Sequence, residues 1–243
     1  MVKDLISAAL SLIIAALVMG PLVGRLKKRP FVFYVAALAL VAAYLVYYYF
    51  VPFVGWLQIF VEPLRKGYIA SFFLAAVMFV GALPNSSAVH RRLLPVRAEL
   101  SILSFILYIP HVATYLSSYL PRLGDLLSMD NVISSSIIVA MVLTAVYLLL
   151  SLLSFKVFRS RMPYKVWKRI QRLSYAMMVL LLLHIWLVLG RSAVVGGSVD
   201  MTIALVVYSA VVVVYAVMRI RKALLAHAEE GRSAEGVRTA SEA

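Results

Sequence analysis

The sequence predicts an all-α fold: a polytopic membrane helix bundle of about seven transmembrane helices. Three observations carry that expectation. Hydrophobic residues make up 64% of the 243-residue chain and charged residues only 14%, giving a mean hydropathy of +0.97, far from the profile of a water-soluble domain. The apolar residues gather into seven runs close to the roughly 20 residues that cross a hydrocarbon layer of about 30 Å. Lys and Arg collect in alternate connections between those runs, which is the charge pattern of membrane topology.

The first run, 5–24, follows Lys3 and Asp4 and lacks a small-x-small cleavage site before "GRLKKRP", so it reads as a span rather than a removed leader. The second covers 31–53. The third, 68–83, and the sixth, 173–190, are short for a crossing. The fourth, 99–120, holds Pro110, the only proline well inside a span. The fifth, 132–155, opens with "ISSSII", whose hydroxyls suit helix packing or a helix end better than catalysis. The seventh covers 201–218. Residues 1–222 thus form the transmembrane bundle, and 223–243 form a short polar tail, rich in small residues, that reads as mostly disordered. That tail is too short for a nucleotide-binding domain. No internal repeat, Walker loop or GxGxxG is found.

"RLKKR" carries four basic residues, "HRRLLPVR" three, "KVFRSRMPYKVWKRIQR" seven and "RIRK" three, whereas the opposite side has five: Lys3, Arg65, Lys66, Arg122 and Arg191. The excess is expected on the cytoplasmic face of the cell (inner) membrane, with the N-terminus outside and the C-terminus inside. Topology therefore accounts for the net charge of +14, and no nucleic-acid partner is expected. Cysteine is absent, which excludes disulfides, thiolate-bound zinc, iron–sulfur clusters and a Cys nucleophile. Any metal would be held by His, Met or oxygen.

Two histidines stand inside the expected hydrocarbon region, His111 in "FILYIPHVATYL" and His184 in "MVLLLLHIWLVLG", with no Asp, Glu, Lys or Arg beside them. His90 and His227 fall in segments expected to be wet. His111 lies twelve residues after Glu99 and His184 twelve after Arg172, so both sit about 18 Å from the basic face, on spans running in the same direction. Such a His can simply hydrogen-bond a neighbouring helix. Two at one depth, with no other ionisable group nearby, point instead to function. Without a carboxylate or thiolate, a closed four-ligand zinc site is disfavoured. Two imidazoles do suffice as axial ligands of haem iron, because the macrocycle supplies the other nitrogens.

The region from about Gly67 to Gly190 resembles the ferric reductase-like transmembrane domain family, closest to the MsrQ-type haem-binding membrane subunit. The features that carry the likeness are Arg91 and Arg92 ahead of "HVATY", with His111 and Tyr115, and "WKRIQRLSY", with Trp167, Ile170, Arg172, Leu173 and Tyr175, followed by His184 thirteen residues after Gln171. Gln171 stands where the family motif has His, and Arg97 stands where two-haem relatives carry an inner His. The resemblance implies a six-helix haem-binding core plus one helix. It also implies one haem b per chain, with iron bound by His111 and His184. No catalytic side chain is singled out. The neighbours expected around the ring are Leu107, Leu183, Ile185, Trp186 and Tyr115, with Arg191 or Arg122 near its propionates.

Gln171 and His184 are separated by about 20 Å of helix, so a second carrier is expected on the cytoplasmic side: FMN, a quinone or a redox partner protein. Arg92, Arg97 and Gln171 are the candidates to contact it. The function expected is that of an electron-transfer subunit of an oxidoreductase, embedded in membrane lipid and delivering electrons to an extracytoplasmic acceptor. A proton-coupled transporter using the two histidines is the alternative.

Overall fold

The computed structural model describes residues 2–52, 54–125 and 131–241, and among these the regular structure is helical. α1 (Val2–Met19) and the short α2 (Val23–Lys28) lead into α3 (Pro30–Phe50), which starts on a proline, a residue whose fixed φ suits the first helical turn. A 3₁₀ turn, Gly55–Leu57, precedes α4 (Gln58–Arg65). Gly67, with φ 70°, then separates α4 from α5 (Tyr68–Ala82). α6 (Ala88–Leu93) and a 3₁₀ turn at Leu94–Val96 precede α7 (Arg97–Tyr119), which contains Pro110. After a 3₁₀ stretch, Leu120–Asp125, come α8 (Asn131–Leu152), α9 (Lys156–Arg159), α10 (Tyr164–Gln171), α11 (Leu173–Val194) and α12 (Val199–Ser241).

Six helical stretches are long and apolar enough to cross a membrane: Pro30–Phe50, Gly55–Ala82, Ala88–Tyr119, Val132–Leu152, Tyr164–Val194 and Val199–Ala228. Leu5–Met19 is a seventh, shorter apolar helix. The chain is therefore a multi-pass all-α membrane bundle. Its outward faces are apolar: in α12, Val206, Val207, Val213 and Val217 are all more than half exposed, as lipid contact requires.

α7 packs against α3, α4, α5 and α8; α11 packs against α8 and α12; and α12 returns to α5. The order α5, α7, α8, α11, α12 thus closes a ring. α7 and α11 share no extensive packing across it. Outside the ring, α1 and α3 bury Ala15, Ala37, Val41 and Tyr44 with Phe73, Val77, Leu100 and Leu103.

At the basic end, the ring is filled by Leu74, Met78 and Ala82 of α5, Tyr147 and Leu150 of α8, Met177 and Met178 of α11, and Tyr215 of α12. Ser104 of α7 ties this layer together. It donates to the Ala70 carbonyl at 2.7 Å and also bonds the Tyr147 hydroxyl.

The structure corrects three expectations. The short third span is extended by α4, which turns through Gly67 into α5. The tail expected to be disordered continues α12 to Ser241, in keeping with its Ala, Glu and Arg content. His90 is not in a wet segment: it is 7% exposed, and its Nδ1 donates to the Val80 carbonyl at 2.7 Å. That carbonyl belongs to the last turn of α5, where it lacks a helical partner of its own.

Candidate functional site

His111 is positioned by the turn between α4 and α5. The helix ends as Lys66 N–H donates to Glu62 and Gly67 N–H to Leu64, with Gly67 in the left-handed region that helix ends favour. The orphan carbonyl of Arg65 is left facing α7, and His111 Nδ1 donates to it at 2.9 Å. A carbonyl can only accept, so Nδ1 carries the proton and Nε2 keeps its lone pair. This is the arrangement by which a backbone carbonyl orients an imidazole for metal binding. Tyr108 stacks on the ring at 5.5 Å, and Tyr115 lies against it at 4.8 Å. Gly67 lies so close that a Cβ there would sit 3.4 Å from His111 Cγ.

His184 is on the opposite wall, in α11. Its Nδ1 is shielded from solvent and has no hydrogen-bond partner among the described residues. The Ser136 backbone, at the start of α8, lies beside the ring. The two imidazoles are near enough for their charges to interact. Two helices that barely touch thus carry one imidazole each. Among the described residues no group of three or more His, Cys, Asp or Glu gathers as a metal cluster. A ligand that brings four equatorial nitrogens of its own needs no such cluster, so the donor set fits a haem.

The residues expected around this region divide. Leu107 is buried, and Tyr115 touches His111. Ile185 packs with Ala193 and Leu205 on the α12 side. Leu183 is 44% exposed, and Trp186 turns to α12, where Nε1 donates to Ser209 Oγ at 3.1 Å. Arg191 is exposed two turns beyond His184, on the same face of α11. The side chain of Arg122 lies outside the described residues.

Sequence reasoning missed Glu62. It is 8% exposed beside the His111 turn and pairs with Arg65 at 2.5 Å and Lys66 at 3.7 Å. The signal was present as "EPLRKG": an acid three and four residues ahead of two bases, closed by a glycine.

The three residues expected on the basic side are not brought together. Arg92 donates to the Gly20 carbonyl, closing the end of α1. Gln171 ends α10, half-buried. Arg97 enters a cluster with Arg219, Lys222 and Tyr175 around the end of α5.

Comparison with known proteins places the helices that carry this region within a known family segment. Residues 66–182, which hold α5, α7, α8 and the first half of α11, match the family described as ferric reductase like transmembrane component. An uncharacterized protein of Treponema pallidum (strain Nichols) is 33% identical over 171 residues, covering 69% of this chain and 46% of that protein. The chain therefore spans less than half the length of this curated relative. No solved structure matches. With His111 inside the matched segment and His184 two residues past its end, residues 66–182 of this chain are a ferric reductase-like transmembrane component.

Proposed function

We propose that this protein is a transmembrane b-type cytochrome that passes electrons through one haem held by His111 and His184. The donor would be a cytoplasmic flavoprotein or a membrane quinol, and the acceptor lies outside the cytoplasm. The supporting observation is the His111–Arg65 hydrogen bond. It sets the tautomer with Nε2 available, opposite an imidazole on a helix that α7 scarcely touches. His111 and His184 would hold the haem, which when bound would supply a one-electron carrier. The chain's own contribution is to orient His111 through Arg65, hold His184 across the ring and exclude water with Leu107, Tyr108 and Tyr115. Arg65 and Lys66, beside the His111 turn, join Arg191 as cations placed to offset propionate charge.

One haem rather than two is favoured because the basic half of the ring is packed by Met177, Met178, Tyr147 and Tyr215. That half also lacks an imidazole pair, with Arg97 and Gln171 at the two relevant positions. A second carrier, FMN or quinone, is then needed nearer the basic face. The orientation that goes with this reading puts the basic ends in the cytoplasm of the inner membrane.

The transporter alternative draws on the break at Gly67, since interrupted helices mark transport sites. α11, which carries His184, runs unbroken through that level, from Leu173 to Val194. The deciding experiment is the absorption spectrum of protein purified after expression with adequate haem supply. A dithionite-reducible Soret band and about one haem b per chain are expected; a colourless protein overturns the cytochrome reading in favour of transport.

A further inference from the structure

Three cations from two different helices meet at the basic end of α5. Arg219 Nη1 donates to the Gly81 carbonyl at 2.6 Å, and its Nε donates to the Tyr175 hydroxyl at 2.8 Å. Lys222 Nζ donates to the same Gly81 carbonyl at 3.2 Å and to the Leu83 carbonyl at 2.7 Å. Arg97 approaches from α7. Its Nε donates to the Val77 carbonyl at 3.0 Å, and its Nη2 lies 3.8 Å from where a Cβ on Gly81 would stand. All three are half-buried and within electrostatic reach of one another. Among the described residues, no carboxylate forms an ion pair with any of them.

Part of this is helix capping. The carbonyls at the end of α5 carry the negative pole of its dipole, and basic side chains suit that place. That pole amounts to about half a charge, against three full positive charges, so capping leaves more than two uncompensated. Like charges held together repel, and an ordinary topological Lys or Arg extends into water instead. The cluster also sits where the apolar run of α12, "VVVVYAVM", gives way to "RIRK", the level at which hydrocarbon meets headgroups.

We propose that Arg97, Arg219 and Lys222, with the Tyr175 hydroxyl, form a binding site for a phosphate group at this membrane boundary. Forked guanidinium donors match phosphate oxygens, and lysine adds a point charge. The phosphate is that of an anionic phospholipid headgroup or of free phosphate. Arg97 and Tyr175 lie within the segment that matches the family and Arg219 and Lys222 lie beyond it, so the matched segment alone does not complete the site. It also does not depend on the haem reading.

The test uses the full chain purified in detergent. One arm counts phosphatidylglycerol molecules retained in native mass spectrometry, against phosphatidylcholine, whose phosphate carries its own cation. The other arm measures thermal stabilisation by inorganic phosphate against chloride at equal ionic strength. The wild type should hold phosphatidylglycerol selectively if the source is lipid, or be stabilised by inorganic phosphate if it is free. In either case Arg219→Gln and Lys222→Gln should each weaken binding about tenfold, as loss of one charge-assisted hydrogen bond implies. Lys222→Arg should retain it. Because Arg219 and Lys222 also cap α5, Arg97→Gln, which leaves the Gly81 cap in place, gives the same reading if those variants fold poorly. The proposal is overturned if the wild type shows no phosphate preference in either arm, or if the variants bind as the wild type does.

Discussion

Gly67 meets a constraint that alanine does not. Its φ of 70° lies in the left-handed region, whereas an added Cβ would only reach ordinary contact with His111 Cγ, at 3.4 Å. Gly67→Ala should cost about 1–2 kcal/mol in backbone strain, and relief of that strain should shift the turn that presents the Arg65 carbonyl to the ring. The haem content of purified protein should fall, whereas Gly24→Ala, with nothing within 4 Å of the new methyl group, should leave it unchanged. His111→Ala and His184→Ala should each abolish the six-coordinate spectrum. His90 separates fold from site. Its loss leaves the Val80 carbonyl without its buried partner, which costs about 1–3 kcal/mol. His90→Ala should therefore lower the melting temperature and keep the haem spectrum; loss of haem in that variant would mean that the ligand assignment is wrong.

The seven apolar helices were legible because the bilayer imposes a minimum length of apolar residues on each of them, and α3, α8 and α12 remain apolar on the faces that meet lipid. α4 was not. Its eight residues mix Gln58, Glu62, Pro63 and Arg65 with apolar neighbours, too short and too polar to register as part of a span. That is why the carbonyl that holds His111 was invisible in the sequence, although His111 itself was conspicuous. The order of helices in the ring was equally hidden, because packing between membrane helices is not driven by hydropathy and leaves little trace in it. Nor could spacing reveal that Arg97 meets Arg219 and Lys222, more than a hundred residues away. The packed layer of α5, α8, α11 and α12 has a direct consequence. Restoring imidazoles with Arg97→His and Gln171→His should not create a second haem site, because Met177, Met178, Tyr147 and Tyr215 occupy the interior at that end. A haem-to-chain ratio near one in the double variant is expected, and a ratio near two would refute the filled-ring argument.

Across the whole molecule, charge is divided between two ends, and the densest block lies in 156–172, with seven basic residues. α10 within it is amphipathic. Tyr164 stacks on Trp167 at 5.8 Å, Trp167 donates to the Leu153 carbonyl at 3.4 Å, and Arg159, Met162, Tyr164 and Trp167 line a groove at this surface. Lys165, Lys168 and Arg169 are exposed there, and Lys168 also lies 5.9 Å from the Tyr164 ring centre. Exposed charges of one sign contribute little to folding, but they raise the association rate of an oppositely charged partner and make it sensitive to salt. If a soluble flavoprotein delivers the electrons, an acidic surface on it would be steered to this end. Neutralising Lys165, Lys168 and Arg169 to Gln should then slow partner-driven haem reduction and flatten its salt dependence, with dithionite reduction and the absorption spectrum unchanged. The same residues help to fix topology, so correct insertion of the variant must be verified by protease accessibility of the tail before rates are compared. Reduction by a quinol in the bilayer does not require that surface encounter. Rates indifferent to the three charges in a correctly inserted variant would therefore refute the docking surface and transfer the donor role to the membrane, with His111 and His184 left as they are.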